Sequence, residues 1–291
     1  MIYDPIRGDH VADRVVAYLT QHAADFSHLF VSWQPRDRGR LDARAYFAAY
    51  DDLFARIGDR YPIRALHHTA LNLGALEPYD RAELFRFTNA LVERYRFAWI
   101  NEDLGLWSIH GKPLPYPLPP YLTRAGLDAA VANTRLAQGG LAAPLLVEFP
   151  GFSDDAFVIG RLHAYDFFRV FAEEAEALVT LDTGHLLTYQ WMRGLRGEAL
   201  FDDLDRLPLA RCFEIHLSGC AISEAGELCD LHHGILLDEQ IELLGRLLGR
   251  CPNLRAVTYE DPAIDAQGGL AKAALPGFSA LAQAVRSCSA C

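Results

Sequence analysis

Six apolar segments of this chain end in a residue that can hold a metal ion. IRALH ends at His67, FAWINED at Asp103, LLVE at Glu148, LVTLD at Asp182, CFEIH at His216 and LRAVTYE at Glu260. Successive members lie 36, 45, 34, 34 and 44 residues apart, one strand plus one helix each time. A lone His or Glu ending a strand is more often a packing or hydrogen-bonding residue. Six in succession are not, and carboxylates gathered in one place are costly to bury unless cations neutralise them. These residues predict a site for more than one metal ion. A second set strengthens the expectation: His185 three residues past Asp182 in DTGH, with Asp230 and His232 as D-x-H after the His216 segment. Two imidazoles and a carboxylate suit Zn, Fe or Mn; the plainer reading is a polar His-rich loop. His68 and His233, each beside an expected ligand, would support ligands or face substrate.

Ligands scattered from 67 to 260 can meet only in a fold that brings strand ends together. Strands are legible at 27–33, 62–67, 97–102, 144–148, 178–182, 212–217 and 254–260. Helices are expected at 9–25, 41–60, 80–96, 124–138, 164–177, 236–251 and 275–288, with a less regular helical region at 188–206. Gly139-Gly140 is expected to stop the fourth helix. Alternation of strand and helix builds parallel βαβ units. The expected fold is α/β, a single (β/α)8 TIM-type barrel whose degenerate first strand lies in the first few residues. An open dinucleotide-binding sheet would need a glycine fingerprint after its first strand, and the chain has none. In a barrel all strand C-termini open on one mouth. The stretch 106–123 contains five prolines, so it is neither regular helix nor central strand. A loop of that length is usually functional.

At 291 residues and 51% hydrophobic, the chain can bury one barrel-sized core, and residues 1–291 read as one domain ending in a short flexible tail. The net charge of −11 argues against a nucleic-acid-coating role. No apolar run reaches membrane-spanning length and the N-terminus lacks signal-peptide features, so no membrane association and a cytoplasmic location are expected. Six scattered cysteines do not form a disulfide framework, and Cys288-x-x-Cys291 alone is a weak zinc signal. In QPRDRGR, Arg36, Arg38 and Arg40 form either a solvated turn or an anchor for a substrate carboxylate or phosphate.

Glu after the fifth strand, D-T-G-H, His, D-x-H and a final Glu resemble the xylose-isomerase-like barrel superfamily, whose nearest metal plan is the trinuclear zinc arrangement of the endonuclease IV family. HHTALNLG (67–74), INEDLGLW (100–107), LPYPLPPYLT (114–123), LLVEFPG (145–151), and EIHLSG (214–219) with DLHH resemble the multinuclear non-haem iron-dependent oxidative enzymes, across residues 60–262. That resemblance implies two or three iron ions, with Zn or Mn as the alternative, and O2 as co-substrate. It implies oxidation of a peptide residue, often Cys, or of a small molecule, sometimes presented by a precursor-binding partner protein. It assigns His67, Asp103 and a bridging Glu148 to one ion, Asp182, His216 and Glu260 to a second, and His185, Asp230 and His232 to a third. Catalytic roles would fall to Glu148, Asp182 and His216, with Arg36, Arg38 and Trp107 facing substrate. The chain departs from the family pattern in four places. Asp103 stands for His, Phe149 for Asn and His185 for Asn, and LFVSWQP lacks the usual acidic residue. Asp103 makes its site harder, Phe149 removes an amide near the metal, and His185 moves the third site toward a zinc-type pattern.

Two other function classes compete. A redox-neutral enzyme could use the same ions as a phosphodiesterase or as a sugar isomerase or epimerase. The first would want a basic groove, of which this acidic chain shows little, and the second would leave His185, Asp230 and His232 without a role. A non-catalytic scaffold would retain metal weakly.

Overall fold

The structure is a computed structural model that describes residues 9–33, 43–78, 80–152 and 157–289. Arg36, Arg38, Arg40, the expected strand in the first few residues and Cys291 lie outside the described residues.

Seven parallel strands form one sheet: β1 (His28–Trp33), β2 (Ile63–His68), β3 (Trp99–Asp103), β6 (Leu145–Glu148), β7 (Leu178–Asp182), β8 (Cys212–Leu217) and β11 (Ala256–Tyr259), in that spatial order. Strand neighbours in sequence are neighbours in space, as helical crossovers require. The seven expected helices appear as α1 (Asp9–Gln21), α2 (Ala43–Ile57), α3 (Ala82–Tyr95), α4 (Arg124–Gly140), α5 (Ala164–Glu174), α7 (Asp238–Leu248) and α8 (Leu275–Ser289). The architecture is the expected α/β barrel type. Between the first and last strands of the sheet, the His28 Nε2 and Thr258 Oγ1 atoms lie 2.8 Å apart.

Side chains alternate across each strand and sort into two cores. Val31, Leu66, Ile100, Val147, Leu181, Ile215 and Leu217 face outward into the large core shared with the helices. Phe30, Ala65, Trp99, Leu146 and Ala256 form a small separate plug inside the sheet. Two residues further along, toward the mouth, the inward positions turn polar. Pairing puts His67 beside Ser32 and Asn101, Asp103 beside Glu148, Glu148 beside Thr180, Asp182 beside His216, and His216 beside Thr258. The register pairs Asp103 directly with Glu148 and Asp182 directly with His216, and steps by two residues between His67 and Asp103 and between Glu148 and Asp182.

Several elements differ from expectation. The proline-rich stretch is an antiparallel hairpin, β4 (Leu106–Ile109) and β5 (Lys112–Leu118), outside the main sheet, where missing proline N–H donors are tolerated. The loop after β8 contains a second hairpin, β9 (Cys220–Ile222) and β10 (Leu228–Asp230). Helix α4 starts at a Thr123 cap, whose hydroxyl accepts from the Gly126 N–H at 3.1 Å, and it runs through both glycines. A Cβ at Gly140 would lie 2.4 Å from the Phe85 ring, so that glycine serves close packing rather than helix termination. The helical region expected at 188–206 is α6 (Thr183–Met192), beginning directly at the end of β7, followed by short 3-10 turns.

Candidate metal centre

All nine expected ligands are described, and the fold brings them together. His67, Asp103, Glu148, Asp182 and His216 come from strand ends, and Glu260 follows β11, its N–H bonded to the Leu217 carbonyl at 2.8 Å. His185 sits in the first turn of α6, where Asp182 caps the helix by accepting from the His185 N–H at 2.9 Å. Asp230 ends β10, and His232 follows in a left-handed conformation with φ 48°. The β9–β10 hairpin packs so closely that a Cβ at Gly184 would meet Cys220 Sγ at 2.9 Å and the Asp230 carboxylate carbon at 3.3 Å. Glycine in DTGH is thus required by the approach of the element that carries Asp230.

Glu148 is the centre of the constellation. Its Oε2 lies 3.2 Å from His216 Nδ1 and 3.5 Å from His67 Nε2, and its Oε1 lies 3.6 Å from His185 Nδ1. Four overlapping sets of side chains place one ligand atom each within 4.8 Å of one another. They are Glu148 with Asp182 and His216, Glu148 with His67 and Glu260, Glu148 with Asp103 and His185, and His185 with Asp230 and His232. The last set is the one the sequence pattern expects for a third ion. In the others Glu148 is shared three ways; Asp103 lies 3.9 Å from His67 and 4.0 Å from His185, and Glu260, grouped here with His67, lies 2.8 Å from His216. His185 Nε2 and His232 Nε2 each approach Asp230 Oδ2 at 3.2 Å, and the His232 side chain is 38% exposed, at the rim.

The polar atoms converge without satisfying one another. His216 Nδ1 lies 2.8 Å from Glu260 Oε1, yet neither atom has an aligned hydrogen-bond partner among the described residues, and the same holds for buried His67 Nδ1 and Asp182 Oδ2. Buried polar atoms are normally hydrogen-bonded. Orphaned ring nitrogens and carboxylate oxygens aimed at common points fit cations between them. Five carboxylates and four imidazoles, with no thiolate among them, form an oxygen- and nitrogen-rich donor set suited to Fe, Mn or Zn.

Electrostatics lead the same way. Burial pushes Asp103 up to about 7, and the adjacent Glu148 charge adds to the shift. Burial also raises Asp182 to about 7, the pull of His185 being outweighed with the help of Asp230, Glu260 and Glu148. Burial opposes charge on His67, His185 and His216, but the surrounding carboxylates outweigh it and hold all three above the ordinary imidazole range. Without ions, the site balances its charge with protons; divalent cations would balance it with neutral imidazoles.

Several supporting residues were not foreseen. Asn101, inward-facing two residues before Asp103, donates to Glu148 Oε2 and is itself fixed by the Thr180 hydroxyl at 2.7 Å. Glu214, two residues before His216, is fully buried below it. The signal was the alternation itself, since i and i−2 share a face. His68 points away from the ligands: its ring lies 2.8 Å from Glu102 Oε2 and 3.1 Å from Thr88 Oγ1, and Glu102 also accepts from the N–H groups of Ala70, Leu71 and Asn72. The pair organises the loop after β2. His233 Nδ1 accepts from the Ile235 N–H at 3.2 Å. The Phe149 ring packs among Phe152, Tyr165, Phe168 and Tyr189, while its carbonyl lies 2.7 Å from His185 Nδ1 and orients that ring. Trp107 lies on β4 with its N–H on the Asn72 side-chain oxygen at 2.7 Å, and its buried indole N–H has no partner among the described residues.

Comparison with known proteins adds lineage to this geometry. A profile of the family described as "RiPP precursor modification enzyme MbnB/TglH/ChrH", which concerns ribosomally made, later modified peptides, matches residues 44–271. A "UPF0276 protein" of Haemophilus influenzae is 25% identical over 211 residues, covering 70% of this chain and 65% of its own length. Another, of Pseudomonas aeruginosa strain UCBPP-PA14, is 26% identical over 196 residues, covering 66% of this chain and 64% of its own. The match thus spans slightly less than two thirds of those relatives. Among solved structures, endonuclease IV of Thermus thermophilus superposes with TM-score 0.51 at 18% identity, over 97% of each chain. D-psicose 3-epimerase of Clostridium cellulolyticum does so with TM-score 0.52 at 12% identity, over 94% of this chain and 90% of that one. At such identities these likenesses establish the fold alone.

Proposed function

The chain belongs to the MbnB/TglH/ChrH family of RiPP precursor modification enzymes, and on that premise we propose that it is an iron-dependent oxidoreductase using O2 to modify a residue of a ribosomal peptide. The observation that carries the reading is Glu148, one carboxylate shared by three potential ligand sets, among which buried atoms of His67, Asp182, His216 and Glu260 have no partner among the described residues. His67, Asp103, Glu148, Asp182, His185, His216, Asp230, His232 and Glu260 would hold two or three ions. When bound, iron supplies the redox and Lewis-acid chemistry that lets O2 oxidise a thiol or another peptide group. The protein's own part is placement: Asn101 and Thr180 hold Glu148, the Phe149 carbonyl holds His185, and the Asp182 cap fixes the first turn of α6 against β7.

Burial of the strand-end ligands keeps bulk water from the reacting side, and the partly exposed His232 marks the side from which a substrate reaches them. The Trp107 indole would line that approach. A peptide is the favoured substrate over a small molecule, and a precursor-binding partner protein is expected to present it. Nucleic acid and membrane are not expected partners, and among the described residues no helix is long and apolar enough to cross a membrane. The test is mass spectrometry of a short co-encoded peptide incubated with the iron-loaded enzyme with and without O2. A mass change confined to the aerobic sample supports the reading. The compact His185–Asp230–His232 set favours one alternative, redox-neutral chemistry on Zn or Mn, which would proceed equally under argon.

A further inference from the structure

Inside the barrel, directly under the ligand level, one carboxylate takes no part in the ligand sets. Glu214 is fully buried, yet it is surrounded by donors. The Trp99 indole N–H donates to Oε2 at 2.7 Å, the Thr258 hydroxyl donates to Oε1, and His216 Nε2, which has no aligned hydrogen-bond partner among the described residues, lies 3.2 Å from Oε1 with Glu214 as the carboxylate facing it. Below them, His28 Nε2 meets the same Thr258 hydroxyl at 2.8 Å. Because that hydroxyl gives its proton to Glu214, it must accept from His28, so the network delivers donors to Glu214 from both sides. With the Trp99 and Thr258 donors aimed at it, the carboxylate presents acceptor oxygens, and an N–H on His216 Nε2 suits it. The other ring nitrogen, Nδ1, faces Glu148 at 3.2 Å and Glu260 at 2.8 Å.

We infer that Glu214 is a positioning residue. It locks His216 in the Nε2–H form, so that Nδ1 is the nitrogen offered to the ions, and it strengthens that nitrogen as a donor. Trp99 and Thr258 hold Glu214 in place, and His28 completes the network from β1. The inference rests on the reading of the strand-end cluster as a metal centre, but on no particular metal. An imidazole whose second nitrogen is held by a carboxylate keeps its ring orientation and basicity, and loss of such a partner typically weakens metal binding roughly 10- to 100-fold.

The test uses Zn2+ alone with the full chain, by competition against a chelator of known affinity. Glu214→Gln should weaken one ion roughly 10- to 100-fold while full stoichiometry is still reached at saturating zinc. Thr258→Val, a milder change if the first variant folds poorly, should weaken the same ion roughly fivefold, the worth of one hydrogen bond. In zinc-loaded protein labelled with 15N-histidine, His216, assigned by its loss in His216→Gln, should read as protonated at Nε2 and metal-bound at Nδ1. A purely structural role for Glu214 would leave the ring's tautomer and the zinc affinity of folded variants unchanged. Unchanged affinity, or His216 bound through Nε2, overturns the inference while leaving the metal centre intact. A wild-type chain that holds no divalent ion overturns both.

Discussion

Replacing Glu148 by Gln tests the centre where it is most concentrated. The substitution keeps the shape of the side chain and removes the charge that faces His216 at 3.2 Å, His67 at 3.5 Å and His185 at 3.6 Å. Glu148 belongs to three of the four potential ligand sets, so a single change degrades every ion that shares it. Removing one member of a buried, mutually compensated charge set costs roughly 3–5 kcal/mol. At about 1.4 kcal/mol per tenfold, that is two to four powers of ten in dissociation constant. The assay is elemental analysis of protein equilibrated at fixed free iron under anaerobic conditions, with circular dichroism as the folding control. The variant should stay folded and lose at least one ion per chain that the wild type retains. In metal-free protein, Asp103 should also titrate lower than about 7, because Glu148 is the largest contributor to its shift after burial. A folded Glu148→Gln variant with wild-type stoichiometry and affinity would refute the bridging role.

Asp230→Asn should remove one ion and spare the rest, since Asp230 belongs only to the set with His185 and His232; stoichiometry by elemental analysis checks this, and loss of all ions contradicts it. The metal-free protein should lose stability as pH rises. Asp103 and Asp182, raised to about 7, take stability away as pH climbs from the unfolded value near 3.8 through 7. The raised imidazoles of His67, His185 and His216 act in the same direction above 6.5, because their charged form is the stabilised one. Metal-loaded protein should show little of this decline, and metal affinity should rise over the same range; parallel melting curves for both forms would contradict it. Phe149→Asn, which installs the family's usual amide, should cost roughly 3–5 kcal/mol in denaturant unfolding, because a buried ring is removed from an aromatic cluster. Improved iron retention without that loss would show that the site reaches position 149 after all.

The ligand ends were legible because each lies at the point where an apolar strand stops, and because one βα unit separates each from the next. What the sequence hid lies beneath them. Segments such as FAWIN and CFEIH look buried on both faces, which masks Asn101 and Glu214, although alternation puts them on the inward side with Asp103 and His216. Apolar Trp99 and Leu146 at the adjacent inner level reinforce the impression of an entirely dry interior. The β9–β10 hairpin was hidden because three-residue strands leave almost no periodicity. Helix α6 began earlier than expected because Asp182 serves at once as strand end and helix cap. By the family pattern Phe149 is a missing amide near the ions; in the structure its ring packs among aromatic residues and its backbone carbonyl holds His185.

The central claim is that the barrel mouth holds redox-active iron rather than zinc or no metal. Elemental analysis of anaerobically purified protein, coupled to O2 uptake on addition of the peptide substrate, tests it most directly. At least two irons per chain and O2 consumption that depends on the peptide are expected. Stoichiometric zinc, no iron and no O2 consumption with the peptide would contradict it.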